Sequence, residues 1–277
     1  MSSSTSGDNV VPIGLDDPPM FVKRSTSGAT IIGTRDTVFK IAEPKSPTLE
    51  RIRQQGLWLS RHNVPELPIV LKTFDVGYAM PRYHRRTLSP TDGCVYIIDA
   101  LSKVWGLVDT DYTPRFSPDS FVGYVTYVGQ WLGLSDAARL SQTLVTSVDG
   151  WFECTVHGDP TLDNLMMDHN GRHVLTDPIP YHRYMPSVAV SDLGKVIQSV
   201  WGYESIIESG GAAPTPDRET VYEYIAERFG RMALHDARAF AVLHMLRLIP
   251  FQESLGHRAA VRQFKEITRH ELDNLYL

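Results

Sequence analysis

Between residues 20 and 81 the apolar positions come in short runs or alternate with polar ones. Phe21-Val22-Lys23-Arg24, Ala29-Thr30-Ile31-Ile32, Thr37-Val38-Phe39-Lys40-Ile41-Ala42, Pro68-Ile69-Val70-Leu71-Lys72-Thr73-Phe74 and Gly77-Tyr78-Ala79-Met80 are each bounded by turn residues. That is the pattern of an antiparallel sheet. One amphipathic helix interrupts it, Pro47 to Leu59, opening with a proline and the acid Glu50. Beyond residue 90 the period becomes helical, over 91–106, 118–133, 135–150, 190–203, 216–230, 235–250 and 255–275. Strands first and helices afterwards predict an α+β architecture, and no internal repeat is present.

Among the helices lies a stretch of different character. Cys154-Thr155-Val156 leads apolar into His157-Gly158-Asp159, Asn164 follows, and Leu165-Met166-Met167 and His173-Val174-Leu175-Thr176 flank Asp168-His169-Asn170-Gly171-Arg172 before Asp177. Asn-Gly between apolar runs is the strongest short hairpin signal, and folding there brings Asn164 and Asp177 together. Phosphoryl transfer asks for these groups: a carboxylate to orient the attacking hydroxyl, and hard oxygens for the magnesium that neutralises polyphosphate. Asp159 suits the first task, Asn164 and Asp177 the second. An Asp-rich surface loop before an ordinary hairpin would explain either Asp alone, but not the whole arrangement.

Composition narrows the classes. The 277 residues suffice for two lobes, and a formal charge of −5 gives no support for nucleic-acid binding. Two cysteines, Cys94 and Cys154, make no disulfide framework, which points to a reducing cytoplasm. Residues 1–9 read as a disordered tail rather than a secretory signal. The apolar stretch from Phe121 to Leu134 is too short to span a bilayer and reads as a buried helix, so no membrane partner is expected. The most flexible interior segment is expected at 208–216, rich in Gly and Pro. No Walker-type glycine loop occurs.

His157-Gly158-Asp159, then Asn164, then a strand-ending Asp177 resembles the aminoglycoside phosphotransferase and choline kinase branch of the protein-kinase-like fold. The resemblance implies a tail at 1–19, an ATP-binding sheet lobe with one helix at 20–82, and a helical lobe at 83–277 carrying the catalytic loop and metal site. It implies ATP or GTP and Mg2+ as cofactors, and a small-molecule hydroxyl as acceptor. Lys40 would grip the phosphates and Glu50 pair with it. Ser27 and Gly28, in the turn Ser25-Thr26-Ser27-Gly28, would lie over the nucleotide, although an ordinary hairpin explains that turn equally well. Met80 and Arg82 fall where the hinge meets the base. His157 would brace the loop, and Asp192, in Ser191-Asp192-Leu193-Gly194-Lys195, would buttress it.

The chain departs from that pattern after Asp177, where Pro178-Ile179-Pro180-Tyr181-His182-Arg183-Tyr184 replaces the usual continuation. Two prolines disfavour a pliant, phosphorylation-switched segment. Asp-Pro here, with 192–195 and Gly202-Tyr203-Glu204, resembles a sugar-related kinase subgroup associated with polysaccharide biosynthesis. His182, Arg183 and Glu204 are the candidates for touching the acceptor, His182 and Arg183 by meeting an anionic one or by simply being solvated. The basic turn Arg82, His84, Arg85, Arg86 poses the same choice. Three functions stay open: a small-molecule kinase, a Ser/Thr protein kinase, and a nucleotide-binding pseudokinase scaffold.

Overall fold

A computed structural model describes residues 17–25, 28–107, 117–180, 182 and 184–276. The expected tail therefore falls almost wholly outside the described residues, as do Ser27 and Arg183. The chain divides into two compact units. One runs to Gly56 and takes in Val70–Arg82; the other comprises Leu57–Ile69 and everything from Tyr83 onward. Residues 57–69, expected with the sheet lobe, thus group with the helical unit.

The first unit is a five-stranded antiparallel sheet in the order β1 (Phe21–Arg24), β2 (Thr30–Gly33), β3 (Thr37–Ile41), β5 (Gly77–Pro81), β4 (Lys72–Phe74). Alternation along β3 buries Val38, Lys40 and Ile41, so Lys40 occupies a position where an apolar residue is usual. It lies opposite Ile31 on β2 and Tyr78 on β5. A Cβ at Gly77 would stand 2.0 Å from the Lys40 carbonyl oxygen, so the strands close on Lys40 only with glycine there. Helix α1 (Pro47–Arg61) begins in this unit and buries Ile52; Gly56 lets its backbone approach the Tyr78 ring. The strand expected over 68–74 is only its last three residues.

In the second unit, α2 (Pro90–Trp105) starts under a Ser89 cap, whose hydroxyl accepts from the Asp92 N–H. Then come α3 (Pro118–Val128), α4 (Leu134–Asp149), α5 (Ala189–Val200), α6 (Tyr203–Ser209), α7 (Arg218–Phe229), α8 (Arg231–Ser254) and α9 (Arg258–Leu275). A small antiparallel sheet, β6 (His84–Arg85), β7 (Leu165–Met167) and β8 (His173–Leu175), carries the hairpin. The core is α5 against α8. Every residue of α5 from Val190 to Val200 is buried, and a Cβ on Gly194 would meet the Phe240 side chain at 2.6 Å.

Helical periodicity over 190–203 misses a break. α5 ends at Val200, Gly202 turns left-handed at φ 82°, and α6 follows as a separate helix. Helix α8 runs through Pro250 instead of stopping there. The stretch 121–134 is not one buried helix. It is α3 with Val122 and Tyr127 exposed, then a 3-10 turn at Gln130–Leu132. No helix among the described residues is long and apolar enough to cross a membrane.

Candidate active site

The loop from Val156 to Asn164 is shaped by polar groups that the chain buries beneath it. Asp192, in the first turn of α5, accepts from the His157 N–H at 2.9 Å, the Gly158 N–H at 2.7 Å and Trp105 Nε1 at 3.0 Å. Burial outweighs these three donors and pushes its carboxyl up to about 6. Gly158 is left-handed at φ 79°, and a Cβ there would stand 1.9 Å from the Ile179 carbonyl oxygen. Only glycine permits that approach, which is sealed by the Ile179 N–H donating to the His157 carbonyl at 2.7 Å.

His157 is fully buried. Its Nε2 faces the Leu175 carbonyl at 3.4 Å and its Nδ1 faces the Asp159 N–H at 3.4 Å, so a neutral ring with its proton on Nε2 satisfies both. Burial brings its pKa down to about 4. It neither gains nor loses a proton near neutrality, which leaves it a structural part. The Trp58 ring meets it edge to face, with centroids 6.4 Å apart.

Asp159 sits at the centre. Lys195 Nζ lies 3.0 Å from its Oδ1, and Asn164 Nδ2 donates to its Oδ2 at 2.9 Å and to its carbonyl at 2.8 Å. Burial alone would raise the carboxyl, but the Lys195 ammonium, with help from Asn164, holds it below the usual carboxylate range. Asp159 is therefore an anion at neutral pH, with lone pairs left for an incoming hydroxyl.

The hairpin performs the expected juxtaposition. Leu165 pairs with Leu175 and Met167 with His173, and the Asp168 carboxylate shapes the turn by accepting from the Asn170 and Arg172 N–H groups, each at 2.9 Å. At its open end the Asn164 carbonyl accepts from the Thr176 N–H at 2.8 Å and the Thr176 hydroxyl at 3.0 Å, which ties Asn164 to the residue before Asp177. Asp177 is left-handed at φ 56°, one of two described non-glycine residues with positive φ. Such a conformation costs about 1 kcal/mol and concentrates where function needs it.

As a donor set for magnesium these residues fit. Asn164 has committed its Nδ2 to Asp159, leaving Oδ1, and Asp177 adds a carboxylate; both are hard oxygens. No group of three or more His, Cys, Asp or Glu that would hold a metal occurs among the described residues. A cation here would take its other ligands from phosphate and water, as magnesium does.

Other expected residues have different surroundings. Glu50 is exposed in the first turn of α1, where its carboxylate accepts from Gln54 at 3.0 Å. The reason is register: α1 starts at Pro47, which leaves Glu50 at the solvated N-terminal turn, where the helix dipole favours it. Gly28 closes a turn at φ 83°, its N–H donating to the Ser25 carbonyl. Met80 is buried on β5 opposite Val38. Arg82 holds its own unit together, donating to the Thr34 carbonyl at 3.3 Å and lying over the Phe21 ring. Arg86 donates to the Leu162 carbonyl at 2.9 Å and so belongs to the loop's support.

Glu204, expected at the acceptor, faces the loop. Its Oε1 accepts from the Leu162 N–H at 3.0 Å and from the Ser199 hydroxyl. Burial raises its pKa to about 7. His182 packs among Tyr124 and Tyr184, and burial, then the charges of Arg247 and Lys195, bring it down to about 3.

Lys195 and Arg247 carry no expected role, yet both line the pocket beside Asp159. A signal existed. Lys195 is a cation three residues after Asp192 on a helix otherwise free of charge, so both lie on one helical face.

No protein-family model matches the sequence, and no curated protein matches it significantly. Solved structures do match. A choline/ethanolamine kinase family protein from Mesorhizobium loti aligns with a TM-score of 0.59 at 14% identity, over 94% of this chain and 89% of that one. The GDP complex of wild-type aminoglycoside 2'-phosphotransferase-IIIa gives 0.57 at 12% identity, over 94% and 95%. Choline kinase LicA from Streptococcus pneumoniae gives 0.57 at 12%, over 93% and 95%. The likeness is one of fold: this chain has the protein-kinase-like fold, in the form shared by these small-molecule kinases.

Proposed function

We propose that this chain transfers the terminal phosphoryl group of ATP or GTP to a hydroxyl of a small molecule. The observation that carries the reading is Asp159: a carboxylate held ionised by Lys195 and oriented by Asn164, with Asp177 brought alongside by the hairpin. The fold it shares with an aminoglycoside phosphotransferase solved with GDP, and with choline kinases, supports it.

In the proposed reaction the acceptor hydroxyl donates to Asp159. As its oxygen bonds to the terminal phosphorus, the bond from that phosphorus to the bridging oxygen breaks, the proton passes to the Asp159 carboxylate, and the nucleoside diphosphate leaves. Asp159 fixes the hydroxyl's direction, which is worth more than basicity when the transition state is loose. Asn164 and Asp177 would hold magnesium, whose charge neutralises the polyphosphate when bound. Lys40 is the proposed phosphate-binding lysine of the first unit.

The test is turnover of γ-labelled nucleotide against pooled metabolites and generic proteins, for wild type and Asp159→Asn. Label should enter metabolites with wild type only, while both proteins bind magnesium nucleotide. Label appearing only in protein would favour a protein kinase, and nucleotide binding without transfer a pseudokinase scaffold. Transfer by Asp159→Asn within a few-fold of wild type would remove Asp159 from the chemistry.

A further inference from the structure

The pocket next to Asp159 is small and basic. Its volume of about 40 Å3 compares with the ~10–15 Å3 that one water needs, so it suits a group of a few heavy atoms. Lys195, His182, His244 and Arg247 line it together with Asp159 itself.

Its charges do not balance. Lys195 is paired by Asp159. Arg247 donates to His244 Nδ1 at 3.2 Å and lies near Tyr124, both neutral side chains. His244 Nε2 lies 3.0 Å from the Ser191 carbonyl, which fixes its proton there and leaves Nδ1 to accept from Arg247. Among the described residues no carboxylate lies within ion-pair distance of Arg247, so one positive charge is left over. Its field, with that of Lys195, helps depress the pKa of both histidines, which stay neutral. A half-buried guanidinium whose protein partners are neutral is a ready site for an oxyanion, which it binds by paired, charge-assisted hydrogen bonds.

We propose that the acceptor is itself anionic: a small hydroxylated molecule carrying a phosphate monoester or a carboxylate, seated against Arg247 and Lys195 with its hydroxyl at Asp159. This rests on the kinase reading and narrows it. Choline, ethanolamine and aminoglycosides, for which the solved relatives are named, are cations, and a pocket with surplus positive charge repels them. A larger cavity of about 1060 Å3 along α9 shares no lining residue with this pocket and mixes Arg258, Arg262, Lys265 and Arg269 with Glu253, Glu266 and Asp273, so most of its charge is internally offset.

Inorganic phosphate is the direct probe. Titrated calorimetrically into the full chain, it should bind saturably in the millimolar range, weaken at least tenfold in Arg247→Gln, and weaken less in Arg247→Lys, which keeps the charge but not the paired donors. Absence of saturable binding, or equal affinity in Arg247→Gln, overturns the proposal. Matched sets of a polyol, its phosphate monoester and its carboxylate, assayed as acceptors with γ-labelled ATP, separate the two oxyanions. A kcat/KM at least tenfold higher for one anionic member identifies it; equal or better use of the neutral member overturns the proposal. Binding of magnesium ATP by the same preparations reads the kinase assignment separately. Nucleotide binding without Arg247-dependent phosphate binding removes only this inference, whereas the reverse result removes the kinase reading, and with it the acceptor role, and leaves Arg247 as an oxyanion site.

Discussion

Lys195 Nζ lies 3.0 Å from Asp159 Oδ1, a buried ammonium against the carboxylate proposed to steer the acceptor hydroxyl. Burial lowers the pKa of Lys195 and works against ionised Asp159, so each charge depends on the other. Breaking such a pair from one side costs more than the pair is worth, because the remaining charge is stranded. Lys195→Met should therefore cut turnover by ~100-fold or more and move the acid limb of the pH–rate profile upward, since Asp159 loses the cation that holds its pKa down. Lys195→Arg should recover part of both. An unshifted acid limb in Lys195→Met would show that the lysine does not hold the Asp159 charge.

Asp177 separates conformation from chemistry. Asn tolerates left-handed backbone at least as well as Asp, so Asp177→Asn should keep stability within about 0.5 kcal/mol of wild type. Loss of the carboxylate should nevertheless weaken magnesium-dependent nucleotide binding by tenfold or more. Urea denaturation and calorimetry with and without magnesium read the two effects. Full nucleotide affinity in this variant would take Asp177 out of the metal site.

Asp192 offers two acceptor oxygens to three donors. In Asp192→Asn the amide NH2 would confront N–H groups that need an acceptor, and each buried donor left unsatisfied costs about 1–3 kcal/mol. The variant should lose about 2–4 kcal/mol and most turnover together. Turnover lost at unchanged stability would instead place Asp192 in the chemistry itself.

Glu204 makes a pH prediction. Its folded pKa, about 7, lies above the ordinary carboxylate value, so its contribution is fully present below pH ~4.5 and lost as pH rises through 7. Glu204→Gln removes that dependence while an amide oxygen can still accept from Leu162. Relative to wild type the variant should gain about 2–3 kcal/mol between pH 5 and pH 8. Denaturation midpoints across that range decide it, and a constant difference would mean the carboxyl titrates normally.

What the sequence makes legible here is what short-range chemistry determines. Asn170-Gly171 announces its hairpin because glycine at φ 81° is a local requirement, and the juxtaposition of Asn164 with Asp177 follows from counting residues on either side. The α+β order is readable because strands and helices bury apolar residues at different periods. The Lys195–Asp159 pair and the Arg247 pocket come from α5 and α8 packing against the loop, contacts between segments far apart in the chain, which periodicity does not encode. Motif order places Glu50 beside Lys40, but only tertiary placement of α1 decides that, and Glu50 ends in solvent. The role of Glu204 is hidden for a related reason: α6 exists because Gly202 breaks the preceding helix, and that break turns the carboxylate toward Leu162.

Gly194 gives α5 a second significance. Its missing side chain lets the helix lie directly on Phe240 and Ala241, and from that one helix project Asp192 and Lys195. The loop brace and the cation beside Asp159 are thus indexed to a single core contact. A methyl group at position 194, remote from any reacting atom, would lift both charges out of alignment at once. Core volume and the placement of both charges thus depend on the same residue, so the α5–α8 seam sets the geometry of the loop as directly as the loop's own sequence does.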